Sequence, residues 1–189
     1  MRIVKVSIFA LVLTAIAVVL AGRLEKTMIT SAGVGSNSCT TAGERELPVY
    51  CVETTENVVA ISFDAAWGNE DTDKILSVLQ KNNVKATFFM TGGWVEKYPE
   101  DVKKICEAGH DLGNHGENHK NMSQLSEKEC EEELLKVHNK VKELTGCEMN
   151  LFRPPYGDYD NDVICKATEC GYYTIQWSID TLYIKVMTF

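Results

Sequence analysis

The stretch Val58-Val59-Ala60-Ile61-Ser62-Phe63, followed by Thr72-Asp73-Lys74-Ile75-Leu76-Ser77-Val78-Leu79 and then Ala86-Thr87-Phe88-Phe89-Met90, decides the fold. The first run is short, apolar and β-branched, as a strand in a covered sheet is. The second places Ile75, Leu76 and Leu79 on one helical face, and the third is another strand. Outward from there the alternation continues. Pro99 to Ala108 reads as a helix with proline in its first turn and Gly109 after its last, and His110 to His115 as a weaker third strand. Ser126 and Glu129 form a capping box opening a helix through Leu134, Leu135, Val137, Val141 and Leu144 to Gly146. Met149 to Phe152 is the expected fourth strand, Asn161 to Glu169 a helix stopped by Gly171, and Tyr172 to Trp177 the fifth strand. Strands and helices recurring at roughly 25 to 30 residues predict a parallel α/β sheet. Periodicity is equally compatible with a closed barrel and an open sheet.

The 189-residue chain is long enough for one well-buried domain. Its net charge of −8 and the absence of any Lys/Arg cluster exclude nucleic acid as a partner. Residues 6–22 carry no charge and follow Arg2 and Lys5, a pattern that enters a membrane. The basic flank favours an uncleaved anchor with the remainder outside the cell, while Ala15, Ala17 and Ala21 would suit a cleaved signal and a secreted product. Residues 1–26 are accordingly read as a signal-anchor or signal peptide. Residues 27–48, rich in Ser, Gly and Thr, are read as a flexible linker, and 49–189 as the folded domain. Seven cysteines without a CxxC pair indicate neither a zinc ribbon nor a complete disulfide framework. Pairings of Cys165 with Cys170, or of Cys39 with Cys51, stay open alongside free thiols.

In parallel α/β folds chemistry gathers at the carboxyl ends of the strands. Asp64 falls there, as do His115 with His119, the run Arg153-Pro154-Pro155-Tyr156-Gly157, and Trp177 to Asp180. Two imidazoles four positions apart can converge on one metal where the backbone turns; on its own such a pair is equally two solvated loop histidines. Arg153 is suited to pair with Asp64 and hold it ionised, or to make a plain structural ion pair. Large aromatics such as Tyr156 and Trp177 wall a ligand pocket or pack a core about equally often. His138 and His110 are expected to pack, and the acidic run from Glu131 to Glu133 to face water early in its helix.

From Val49 to Asp180 the chain resembles the polysaccharide deacetylases, the nodulation-protein-B-like domain of carbohydrate esterase family 4. The resemblance rests on Ser62-Phe63-Asp64-Ala65-Ala66-Trp67-Gly68, His115-Gly116-Glu117-Asn118-His119, Arg153-Pro154-Pro155-Tyr156-Gly157 and Trp177-Ser178-Ile179-Asp180, in the family's order. The first motif, behind a membrane anchor, looks most like the sporulation-type branch. The resemblance implies an incomplete, distorted (β/α) barrel of about five parallel strands. It also implies metal-dependent removal of N-acetyl groups from cell-wall or related polysaccharide, and a divalent cofactor, zinc foremost, on His115 and His119. Asp64 would be the base and Arg153 its partner, with Pro154, Tyr156 and Trp177 around an N-acetylated glycan.

The sequence departs from the family's pattern at three places. Ala65 stands where active members usually carry a second, metal-binding aspartate, so that Glu117, Asp71, water or substrate would have to fill the gap. Tyr183-Ile184 stands where an Asp-Trp pair is expected, and the fifth motif with its acid histidine is missing. A truncated or frameshifted reading frame, and an uncovered edge at the fifth strand, are the corresponding expectations. The alternative function is a catalytically impaired remnant that binds glycan or a partner without turnover. A sugar-active barrel using paired carboxylates is disfavoured, because no second acid accompanies Asp64 at its strand end.

Overall fold

The structure, a computed structural model, describes residues 45–180. Five strands, β1 (Ser62–Ala65), β2 (Thr87–Met90), β3 (Asp111–Asn114), β4 (Leu151–Phe152) and β5 (Tyr173–Thr174), form one sheet in the order β1-β2-β3-β4-β5. Every pairing is parallel. Parallel neighbours need crossovers, supplied by α1 (Thr72–Lys81), α2 (Gly92–Lys97), α3 (Pro99–Glu107), α4 (Glu127–Thr145) and α5 (Asn161–Glu169). A strictly sequential strand order is that of a barrel wall rather than of a doubly wound sheet, whose order reverses midway.

Register puts the functional motifs on one rim. Ala65, Met90, Asn114, Phe152 and Thr174 are partners in a row across all five strands. The chain therefore leaves the sheet at the same level each time, and Ala66, Thr91, His115, Arg153 and Ile175 begin the five exits. Gly113 is required for close packing here, because a β-carbon on it would meet the Phe89 ring at 2.5 Å.

The core lies between the sheet and the helices. Leu134, Val137 and Val141 repeat at helical spacing along α4 and are fully buried with Met90, Ile105 and Phe152. Each such side chain contributes roughly 1.5–3 kcal/mol through removal from water. The capping box of Ser126 and Glu129 is formed, and Gly146 closes α4 at φ 74, a left-handed position at which glycine carries no steric cost.

The structure corrects the sequence reading in several places. β1 begins at Ser62, and Val58 and Val59 are exposed upstream of it: their β-branched composition reads as strand, yet the ladder opposite Thr87 starts only at Ser62. The short helix α2 was not anticipated, since glycines at its start hide the signal; its cap is Thr91, whose Oγ1 accepts from Trp94 N at 3.2 Å. The edge at β5 is partly covered, because Val49 N donates to the Thr174 carbonyl at 2.8 Å and Gln176 N to the Val49 carbonyl at 2.9 Å. Cys165 is disulfide-bonded, while Cys51 and Cys170 are free thiols, so neither of the two pairings left open by the sequence is formed. The expected membrane segment, most of the linker and Tyr183-Ile184 lie outside the described residues. Among the described residues no helix is long and apolar enough to cross a membrane.

Candidate active site

Asp64 is the penultimate residue of β1, and Arg153 leaves β4 with its backbone N–H on the Asn114 carbonyl at 2.9 Å. The Arg153 guanidinium donates from Nη1 to Asp64 Oδ1 at 2.7 Å and from Nη2 to Ser62 Oγ at 2.8 Å. It lies 4.1 Å from the centroid of the Phe89 ring. The arginine side chain is 6% exposed and that of Asp64 40%, so the cation lies beneath the rim and the carboxylate reaches solvent. A charge-assisted bond of this kind fixes the direction of the acid.

His115 follows β3 directly and is buried. Its Nδ1–H donates to the Arg153 carbonyl at 2.6 Å, which leaves Nε2 with the free lone pair, the tautomer that a second-shell carbonyl imposes on metal-binding histidines. The His119 ring centroid is 4.9 Å from that of His115, and its buried Nδ1 bonds to no other residue. Burial pushes the pKa of both imidazoles down, against the nearby Asp64 carboxylate, which favours their charged forms. Both are thereby kept neutral near pH 7, as coordination requires.

The turn between the histidines is built from the core upward. Fully buried Asn114 donates to the Leu134 carbonyl and to the Tyr172 hydroxyl and accepts from Gly116 N at 2.9 Å. Glu133, buried on α4, accepts from Asn118 N and Asn118 Nδ2, both at 2.7 Å, and pairs with Lys120. Burial pushes the Glu133 carboxyl up, but the Asn118 hydrogen bonds and the Lys120 charge outweigh it and hold it below the usual range. Glu131 and Glu132 face water as expected, and Glu133 does not. The sequence reading missed Asn114 and Glu133; a helical wheel places Glu133 beside Leu134 and Val137, the one available signal.

Backbone strain concentrates at the same place. Among the described residues three other than glycine have positive φ, and two of them, His119 (φ 54) and Tyr156 (φ 61), hold their rings 4.6 Å apart. Such conformations cost on the order of 1–3 kcal/mol each and persist where the surroundings over-determine them. Trp67 flanks His119 with ring centroids 5.5 Å apart, and Trp67 and Tyr156 are both largely exposed. Trp177 lies 5.5 Å from the Arg153 guanidinium and is partly exposed. Pro154 and Pro155 are fully buried and shape the loop from below. The rim thus brings Asp64, Arg153, His115, His119, Tyr156 and Trp177 together, and adds Trp67.

The donor set offers a cation two imidazoles. Among the described residues no group of three or more His, Cys, Asp or Glu side chains converges as a metal site. Ala65, the last residue of β1, carries only a methyl group, which packs against the core cluster. Glu117 does not fill the gap, since it pairs with Lys140 and packs where a β-carbon of Gly92 would stand. Nor does Asp71, which pairs with Lys74 in solvent. The set falls one protein ligand short of the three usual for catalytic zinc.

A parallel sheet with an acid, two imidazoles and a guanidinium on one rim defines a hydrolase-type α/β module. The family model for polysaccharide deacetylase matches residues 52–175, and the chain belongs to that family. It is 40% identical over 124 residues to the peptidoglycan-N-acetylglucosamine deacetylase of Bacillus cereus, a match covering 66% of this chain and 45% of that protein. It is 34% identical over 131 residues to the peptidoglycan-N-acetylmuramic acid deacetylase PdaA of Bacillus subtilis, covering 69% and 50%. Among solved structures it resembles wild-type BA3943 of Bacillus anthracis, described as a carbohydrate esterase family 4 pseudoenzyme, with TM-score 0.70 and 34% identity over 74% of this chain and 50% of that one. A mutant of BA3943 with restored enzymatic activity matches equally well, with TM-score 0.70 and 36% identity over 74% and 51%. The chain spans about half the length of the curated relatives it matches.

Proposed function

We propose that this chain is a module for metal-dependent hydrolysis of N-acetyl groups on cell-wall glycan, working outside the cell behind an N-terminal membrane anchor. The observation that carries the reading is the Arg153–Asp64 bond at 2.7 Å on the same rim as the His115 and His119 pair. Peptidoglycan is the favoured substrate, in keeping with the names of the curated relatives. The sporulation-type first motif supports wall remodelling in a spore-forming bacterium.

In this reading His115 and His119 would hold a divalent cation, zinc being one that imidazole suits. The chemistry such an ion would supply is polarisation of the acetamide carbonyl and a lowered pKa for bound water. Asp64 accepts the proton of the attacking water, and Arg153 keeps its carboxylate aimed. Exposed Trp67 and Tyr156 stack against sugar faces on either side of His119, with Trp177 beyond the arginine. Buried Pro154 and Pro155 fix the loop that carries Tyr156, so its backbone N–H is placed without mobility to lose. One such donor typically contributes 10²- to 10³-fold in acyl transfer.

One observation favours a second reading, glycan binding without turnover: the site lacks a third protein ligand at Ala65. The test is zinc content and acetate release from N-acetylglucosamine oligomers, for the full chain and for Ala65→Asp. Acetate from both supports the first reading. Acetate from the variant alone assigns the native chain to the second. Neither zinc uptake nor acetate from either, with oligomer binding retained, rejects deacetylation.

A further inference from the structure

Away from the rim, two thiols face each other. Cys106, in the last turn of α3, and Cys147, the residue after the glycine that closes α4, hold their sulfurs 2.9 Å apart. Both are partly buried free thiols. Cys147 is held by its own turn, where its N–H donates to Thr145 Oγ1 at 3.1 Å and Thr145 Oγ1 donates to the Val141 carbonyl at 2.8 Å. Closing the sulfurs to bonding distance takes a movement of under about 1 Å. The same chain already carries a disulfide at Cys165, in keeping with the location outside the cell proposed above. Of the three other described thiols, Cys130 is buried and pushed up to about 12, Cys170 is partly buried and also pushed up, and Cys51 is exposed.

We propose that Cys106 and Cys147 are an oxidisable dithiol that closes to a disulfide by exchange with an external thiol disulfide, crosslinking the ends of α3 and α4. One sulfur attacks the reagent RS–SR as thiolate, forming a mixed disulfide and releasing RS⁻. The second sulfur then attacks the protein sulfur of that mixed disulfide and releases the other RS⁻. One S–S bond replaces another, two electrons pass to the reagent, and the two protons leave with it as two RSH. Cys106 is held protonated by its hydrogen bond to Cys147 and by burial, so whichever sulfur ionises first keeps the other's S–H against it.

The bond closes a loop between positions 41 residues apart. It ties α3, which leads into β3 and the histidine turn, to α4, which carries Glu133 beneath that turn. By restricting the unfolded chain it raises Tm by about 5–15 °C.

The test uses the native full chain, alkylated with N-ethylmaleimide under non-reducing conditions before and after incubation with oxidised glutathione, with peptide mapping by mass. The expected result is a crosslinked Cys106–Cys147 peptide with neither residue alkylated, and a Tm that falls when the crosslink is reduced with the Cys165 disulfide left intact. Full alkylation of both residues after oxidation, a persistent glutathione adduct on either, or pairing of either with another cysteine overturns the proposal. Cys147→Ser supplies the control in which Cys106 ends as adduct or free thiol; a crosslink involving Cys106 in that variant also overturns it.

Discussion

Arg153 and Asp64 are joined across the sheet, from the end of β4 to the end of β1, by a 2.7 Å charge-assisted hydrogen bond whose cation is buried and whose anion reaches water. The two roles of the pair are separable on that basis. In the proposed reaction Asp64 would meet the attacking water, whereas Arg153 would act through Asp64.

Replacing Asp64 by Asn leaves a buried guanidinium without its counter-charge. Because the carboxylate is 40% exposed, the cost falls below that of a fully buried pair, at about 1–3 kcal/mol, read from urea unfolding. Acetate release, measured in whichever of the native chain or Ala65→Asp is active, drops by about 10²- to 10⁴-fold with the general base removed. Activity within threefold of its parent would show that Asp64 is not the base.

Ala65→Asp adds the missing ligand at the rim row, one residue beyond Asp64. Zinc affinity rises by at least about tenfold, equivalent to 1.4 kcal/mol, by competition with a chromogenic chelator. Unchanged affinity means that position 65 does not face the imidazoles.

Glu133→Gln keeps the shape on α4 but loses the charge and one acceptor to Asn118. Stability falls by about 1–3 kcal/mol. Zinc affinity falls with it, because the turn from His115 to His119 loses its anchor. A stability loss with zinc affinity intact would confine Glu133 to a structural part.

Acidification destabilises the fold through His110 and Glu133, with the depressed rim imidazoles His115 and His119 adding to the histidine limb. His110 accepts the Ala86 N–H on Nδ1 at 3.3 Å, and burial, aided by the Lys85 charge, pushes its pKa below 6.5. A histidine depressed in the folded state contributes stability that is complete above its unfolded value and is lost as pH falls through the folded one. Glu133, held below 4.5, contributes stability present above that value and lost beneath it. Tm therefore stays level between about pH 7 and 8 and, on the acid side, declines in two limbs, one below 6.5 and one below 4.5. In His110→Gln the first limb shrinks while the His115 and His119 share of it remains; an unchanged first limb assigns it wholly to other groups.

Much of the fold was legible because local signals agreed with tertiary ones. The Ser126 and Glu129 box and Gly146 mark the ends of α4 within a residue, and Asn161 to Glu169 is a helix as expected. What sequence could not supply were long-range facts. Val58 and Val59 have strand composition, but nothing local says that the β2 ladder begins only at Ser62. Glu133 is one of three consecutive glutamates, and its burial depends on an Asn118 that lies 15 residues away. The motif residues were identifiable because their strands exit at one register level, and that level is a property of the whole sheet.

The Val49 bridge joins the opening of this module to its fifth strand. Residues more than 120 positions apart thus share one set of backbone bonds, and the two sequence extremes of the sheet breathe together. Proteolytic trimming that removes Val49 will surface as faster amide exchange at Gln176, whose N–H it accepts, far along the chain from the cut.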